Sequence, residues 1–545
     1  MMKKVIKKLL AALLAVAMLC AMAIPAFAYN PGETEEDLNT KHDYGAFQIF
    51  TGDVSDDNTT ISNVGWGESI PNHEDFLEKL KEDLTIGNQF SNAKTAQDVL
   101  MVISTWDDSD DDSIAFARFV CKYLYPTADA KPEPDYTGHT GGFEIRKPGY
   151  YLIVDISPFH EDDFYHAYNS FLLKVTKAPY HVIIKHKVVK PTVEKKVYDN
   201  DNDNNDISSA GGWGSSADHA INEKFQFQLI AKLPASKDNG RAYDYYDKYT
   251  VCFNDTLSAG ITFDNLDTVK IANVDGGDSK EITNYKFDDT DLHEAGHPTS
   301  FKLSIDNVKT CAAAAGLNLN DGATITVTYT AHLNDKATVN TANGSNTTDN
   351  KNSVFLQYSN NPRIDTSLDH TTTNEVCVYT YQLNNTKYRD EVNENNKLEG
   401  AGFRLYSDEA CTPEQEVKLY KKDNFYYPIK DATDKAQDAV EMFSDEHGQF
   451  NVKGLDAGTY YLKETKTPDD YSPCPDKKIV ISATHTEYNV NLSGNLSTTI
   501  INKKDGGITL PSTGGIGTTI FYVVGGGLMV AAIVLLVTKK RMENK

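Results

Sequence analysis

The chain of 545 residues has only seven cysteines and three tryptophans, and no long hydrophobic run between its two ends. Cys20 lies in the leading apolar run, so six cysteines remain in the body: Cys121, Cys252, Cys311, Cys377, Cys411 and Cys474. They form no CxxC pair and no metal-ligand spacing, which leaves the redox and zinc-site classes without a motif. Cys252 sits among strand residues and reads as a small core residue. A Cys411–Cys474 disulfide is compatible with an exported chain. Enzyme signatures are missing as well: there is no HExxH and no GxSxG. The histidines are scattered, His181 and His186 among lysines, His293 and His297 in a loop-like stretch. Activity on an external substrate, a cofactor and a metal are therefore not expected.

Positive charge is also scarce, with 53 Lys and Arg against 78 Asp and Glu, for a formal charge of −25. Setting aside four lysines in the first 28 residues and the net +3 of the last seven leaves −32 for the stretch between. That balance argues against nucleic acid or anionic lipid as a partner and suits a soluble, self-repelling surface protein.

What is present begins at the ends. Residues 1–28 have a lysine-rich start, an apolar run and a small-x-small site, Ala26-Phe27-Ala28, as a secretory signal does. At the other end "LPSTG" (510–514) precedes an apolar run from about Ile520 to Val537 and the basic tail "KKRMENK". The run is long enough to cross a bilayer as a helix, with the basic tail kept on the cytoplasmic side.

The length between the ends suits about three domains. Residues 29–188 mix helical periodicity ("HEDFLEKLKEDL", "SIAFARFVCKYLY") with strand-like runs ("GGFEIRKPGYYLIVDIS", "NSFLLKVTKAPYHVIIKHKVV"). Residues 189–368 read as strand and turn throughout, and 369–505 as a smaller β-domain of the immunoglobulin type. Residues 506–514 form a linker with the LPSTG signal, and 515–545 the membrane helix and tail. The tract "DNDNDNND" (199–206) lacks the glycine and terminal glutamate of an EF-hand loop and reads as a solvated loop.

The informative residues are polar ones on apolar strand faces. In "GTYYLKETKTPDDY" strand alternation puts Glu464 on the face of Tyr460 and Leu462. Lys387 shares a face with Tyr381 and Leu383, and Asn502 one with Ile500. The middle domain repeats the set. Lys195 lies beside Val193 and Val197, Asp255 beside Val251, Phe253 and Leu257, and Asn352 beside Val354, Leu356 and Tyr358. Asp247 is the substitute for Asp255. Twice, then, a lysine opens the domain, an acid lies in the middle and an asparagine closes it.

Burial lowers a lysine's pKa towards a neutral amine and raises a carboxylic acid's, so that the acid can relay protons. Holding amine and carboxamide in contact is equivalent to an effective molarity of about 10⁵–10⁸ M. The product is a Lys–Asn isopeptide bond, with ammonia released. Such a bond would join the first and last strands of its domain and needs no oxidant.

The chain resembles the sortase-assembled backbone (major) pilins of Gram-positive bacteria. "YYLKETKTPDDY" is similar to their E-box, YxLxETxAPxGY, with Thr467 and Asp470 in place of alanine and glycine. "LPSTG" matches the sortase signal LPxTG, and "KPTVEKKV" and "NSVFLQYSNNP" resemble the opening and closing strands of an isopeptide-forming domain. The resemblance implies a mainly β chain of tandem immunoglobulin-like, collagen-adhesin-like sandwiches, the first with added helices. It implies the trios Lys195–Asp255–Asn352 and Lys387–Glu464–Asn502, with Asp255 and Glu464 as proton shuttles.

It further implies a sorting signal of Leu510, Pro511, Ser512, Thr513 and Gly514. Sortase would attack at Thr513, and a lysine of the next identical subunit would resolve the thioester. In "HVIIKHKVVKP" that lysine aligns with Lys187, with His186 where the family has proline, and with Lys185 and Lys190 as neighbouring candidates. The implied partners are sortase, identical subunits, and peptidoglycan or its precursor, at the cell surface. The alternative is an anchored adhesin or ancillary pilin that binds a host or matrix ligand.

Overall fold

The computed structural model describes residues 43–505 except 55–60, 107–110, 128–129, 140–141, 158–169, 183–189, 201–211, 236–241, 274–278, 294–297, 342–347 and 487–488, with isolated positions beyond 527. The signal segment, the acceptor candidates Lys185 and Lys187, the LPSTG motif and the bulk of the apolar run lie outside the described residues. Among those described, no helix is long and apolar enough to cross a membrane.

The fold is mainly β, as the alternating patterns require. In the first region the central strands Asp43–Val54 and Gly149–Asp155 pair antiparallel, with Ile61–Trp66 and Ser170–Val175 outside them. All seven residues of Gly149–Asp155 are buried, because both faces of the sheet are covered. On one face Phe47, Leu152 and Val154 meet Phe76, Leu80, Val99 and Phe116 from three helices. Two of these, His73–Glu82 and Asp111–Leu124, fall where the periodicity places them. The third, Ala96–Ile103, is an addition to the sequence reading. It is announced by a capping box in which the Thr95 side chain and Asp98 satisfy each other's backbone N–H groups.

The second region is a sandwich of two sheets. One runs in the order Ser216–Asp218, Asn374–Tyr379, Lys351–Ser359, Val251–Leu257, Thr299–Ile305, Lys286–Asp288. The other runs Lys280–Glu281, Ile261–Asn273, Ala323–Leu333, Lys224–Lys232, Thr192–Tyr198, Trp213–Gly214. Strict alternation along Lys224–Lys232 and Ala323–Leu333 sends Phe227, Leu229, Val327 and Tyr329 inward against Phe253, Val354 and Leu356. The strand Asn374–Tyr379 belongs to this sandwich, where it pairs with Lys351–Ser359. The sheet therefore continues past the boundary expected at 368, because cross-strand pairing rather than local composition decides membership.

The third region is a smaller sandwich. Its first sheet has the order Leu419–Lys422, Phe425–Pro428, Asn451–Leu455, Tyr381–Arg389, Ser497–Asn502. Its second has the order Met442–Phe443, Gly402–Tyr406, Gly458–Lys466, Lys477–His485, Val490–Gly494. All six cysteines are free thiols. The Cys411–Cys474 pairing that an exported chain would permit is not formed: Cys411 faces Asp476 and Cys474 lies beside Glu464.

Candidate functional site

Lys387 stands on Tyr381–Arg389, where Tyr381, Leu383 and Asn385 are also buried and the alternation carries the lysine inward. The neighbouring strand Ser497–Asn502 runs parallel to it, with Lys387 opposite Ile500 and Arg389 opposite Asn502. Lys387 Nζ donates to Asn502 Oδ1. From the facing sheet Glu464 Oε1 lies 3.1 Å from that Nζ and accepts from Asn502 Nδ2 at 2.7 Å. The second oxygen, Oε2, accepts from the Cys474 backbone N–H at 2.8 Å. One carboxylate oxygen thus touches both the amine and the amide nitrogen. The lysine side chain is 0% exposed and the glutamate side chain 1%. The Phe403 ring lies 5.1 Å from Nζ and walls the site with apolar surface.

The strand that brings Glu464 in has its own local logic. Its ladder with Gly402–Tyr406 slips between Phe403 opposite Glu464 and Gly402 opposite Lys466. Such a bulge re-aims side chains near functional groups. Further along, Asp470 adopts φ of 69°, a left-handed conformation that glycine takes without steric cost. This accounts for the glycine of the resembled E-box at that position.

The second site is wired differently. Asp255 and Asn352 lie on adjacent antiparallel strands, Leu257 being opposite Asn352 and Asp255 opposite Val354. Lys195 comes from the facing sheet and forms an ion pair with Asp255 in which both side chains are 0% exposed. Between lysine and asparagine stands Tyr329, whose hydroxyl accepts from Lys195 Nζ at 3.1 Å and donates to Asp255 Oδ1 at 3.1 Å. Asn352 Nδ2 donates to the same hydroxyl, and Asn352 Oδ1 is buried with no hydrogen-bond partner among the described residues. Phe227 and Tyr329 each place a ring 5.4 Å from Nζ.

Burial sets the electrostatics of this second site. It pushes the Lys195 ammonium down to about 8, against the opposing pull of the Asp255 carboxylate. It also raises the Asp255 carboxyl, which Lys195 and Tyr329 only partly offset. Both directions favour a neutral amine beside a protonated acid.

The structure therefore brings together the residues of each trio. Asp247, the substitute acid, is elsewhere: it pairs with Arg118 at 2.9 Å and with Lys122, between the first and second regions. Asn352 is not on the last strand of its sandwich, since Leu368–His370 and Asn374–Tyr379 follow it. Lys190 is half-buried and outside any strand. Tyr329 is the residue the sequence did not single out. A tyrosine among Ile325, Val327 and Ala331 reads as ordinary core, and only its hydroxyl's three partners distinguish it.

Comparison with known protein families matches residues 381–495 to SpaA, a prealbumin-like fold domain, and residues 502–544 to the LPXTG cell wall anchor motif. Among curated proteins there is no match. Among solved structures the chain is similar to the T6 backbone pilin of serotype M6 Streptococcus pyogenes, at 16% identity, 86% of this chain, 97% of that one and a TM-score of 0.44. It is also similar to the full-length major pilin SpaD from Corynebacterium diphtheriae, at 15% identity, 85% and 93% coverage and a TM-score of 0.41. A C-terminal fragment of the major pilin GBS80 of Streptococcus agalactiae matches at 21% identity, 57% and 99% coverage and a TM-score of 0.38. The matched family models thus account for the third sandwich, as a prealbumin-like domain, and for the C-terminal stretch, as an LPXTG wall-anchor motif.

Proposed function

We propose that the protein is the backbone subunit of a pilus, polymerised by sortase and stiffened by two intramolecular isopeptide bonds, Lys195–Asn352 and Lys387–Asn502. The observation that carries this reading is the burial of both complete Lys–acid–Asn sets, the Lys387 set in direct contact and the Lys195–Asp255 pair joined to Asn352 through the Tyr329 hydroxyl.

In the third sandwich the Lys387 amine attacks the Asn502 carboxamide carbon. A proton leaves the amine and another arrives at the departing nitrogen, so that an N–C bond forms, the C–Nδ2 bond breaks and ammonia is released. Glu464 Oε1 touches both nitrogens and can relay that proton. In the second sandwich the protonated Asp255 gives its proton through the Tyr329 hydroxyl to the departing Asn352 Nδ2 and takes in exchange the proton that the Lys195 amine loses, which restores both acid and hydroxyl. The apolar walls keep water from competing and the geometry supplies the proximity.

Between subunits, a sortase cysteine breaks the Thr513–Gly514 bond and holds Thr513 as a thioester, which the Lys187 amine of the next subunit resolves to an amide. Tension along the fibre then enters at Lys187, bypasses residues 196–351 and 388–501 through the two cross-links, and leaves at Thr513. Residues 43–182 of the first region lie off that path.

Assembly is tested in the producing cell. Lys187→Ala is expected to abolish the high-molecular-weight ladder on denaturing gels while leaving monomer on the wall. A ladder that persists moves the acceptor to Lys185 or Lys190, and its loss only in one of those variants identifies it. A ladder absent from wild type as well would support the anchored adhesin instead.

A further inference from the structure

The second and third sandwiches meet at a buried cluster that neither cross-link uses. His485 closes the strand Lys477–His485 of the third sandwich, and its Nε2 points between two acids of the second. It lies 3.3 Å from Asp199 Oδ2 and 3.4 Å from Asp218 Oδ1, and all three side chains are 0% exposed. Asp218 sits on Ser216–Asp218, and neither of its oxygens has a hydrogen-bond partner among the described residues. His485 Nδ1 is held by Ser216 Oγ at 3.0 Å, and the Tyr379 ring stacks on the imidazole at 5.6 Å. The three donor atoms lie within 4.8 Å of one another.

We propose that Asp199, Asp218 and His485 bind one divalent transition-metal ion of the zinc class, which clips the third sandwich to the second. Two observations carry this beyond a cluster of charges. The buried carboxylate of Asp218 has no hydrogen-bond donor among the described residues, its charged neighbour being His485 Nε2 at 3.4 Å, and such an arrangement is costly unless a cation completes it. The spacings of 3.3 and 3.4 Å are also longer than charge-assisted hydrogen bonds. They match the edge of a tetrahedron, about 3.4 Å, around an ion bound at about 2.1 Å. An imidazole nitrogen with two carboxylates suits zinc better than calcium, which takes six to eight oxygens. Ser216 fixes the ring from its other nitrogen, the usual outer-shell arrangement for a metal-bound histidine. Two formal negative charges and a neutral imidazole balance a divalent ion.

The clip would act where no covalent bond would. Asp199 and Asp218 lie inside the 195–352 loop and His485 inside the 387–502 loop, so the ion would join two closed blocks across the single chain connecting them. Its binding does not depend on either isopeptide bond having formed.

The test is a calorimetric titration of zinc chloride into the chelator-stripped full chain. It is expected to show one equivalent bound, lost in His485→Gln and in Asp218→Asn, with a higher melting temperature in zinc than in chelator for wild type only. Substitution by cobalt chloride in wild type is expected to give a tetrahedral visible spectrum without thiolate charge transfer, which keeps the proposal testable if a variant does not fold. No stoichiometric binding to wild type, binding unchanged in both folded variants, or a thiolate band from the free cysteines overturns it.

Discussion

The two Lys–acid–Asn sites use the same residue types in the same chain order, yet they are built across different parts of a sandwich. In the third sandwich lysine and asparagine sit on neighbouring parallel strands of one sheet, and the acid reaches them from the other. In the second, acid and asparagine share one sheet and the lysine crosses the core. The consequence is chemical as well as mechanical. Glu464 touches amine and amide nitrogen with one oxygen, whereas Asp255 reaches Asn352 through Tyr329. A buried polar trio thus constrains chemistry more than topology, and the protein fills a longer gap with one additional hydroxyl.

The largest effect separates the two sites outright. Glu464→Ala should block only the Lys387–Asn502 bond and Asp255→Ala only the Lys195–Asn352 bond. By the entropy of closing a loop of 115 residues, losing the former costs about 5 kcal/mol. That is comparable with the whole stability of a typical domain and lowers the melting of the third sandwich by roughly 20 °C. Calorimetry with limited proteolysis reads it, and equal loss of both bonds in either variant would break the independence of the sites.

Single-molecule pulling between the termini of the second and third sandwiches sharpens the mechanical difference. With both bonds formed, the only stretch between them free to extend is the 34 residues from Ser353 to Thr386, at most about 120 Å. The strand Asn374–Tyr379 lies in that stretch and should peel first. Releases of a whole sandwich in wild type would contradict the bypass.

Tyr329→Phe addresses the relay itself. It should slow formation of the Lys195–Asn352 bond by about 100-fold while leaving the third sandwich unaffected, as followed by ammonia loss in freshly refolded chain. An unchanged rate would reduce Tyr329 to a wall of the site.

The smallest effect is a pH dependence. In Asn352→Ala the Lys195 amine stays unreacted, with its pKa lowered by burial to about 8 in the folded chain against an ordinary 10.5. The unfolded chain then binds more protons between those values, so stability should rise as pH rises from about 8 to 10.5 and be lowest below 8. Denaturant unfolding across that window checks it. Wild type, with Lys195 as an amide, should lack this component.

Much of this site was legible because alternation exposes a polar residue on an apolar face. Lys195, Asp255, Asn352, Lys387, Glu464 and Asn502 each break a run of buried hydrophobes, and each is drawn into the core. Tyr329 obeys its run and so carries no such mark. The sheet to which Asn374–Tyr379 belongs depends on pairing with strands more than a hundred residues away as well as near ones, which no local pattern encodes. The same holds for Asp199, Asp218 and His485. Asp199 reads as the first residue of a solvated acidic tract, yet it is buried against a histidine 286 positions later.

The measurement that tests the central claim most directly is the intact mass of the mature, exported chain, with peptide mapping of the linked fragments. The account predicts a mass lower than the sequence mass by two molecules of ammonia, and branched peptides joining Lys195 to Asn352 and Lys387 to Asn502. The unmodified mass, with all four residues recovered in linear peptides, would contradict it.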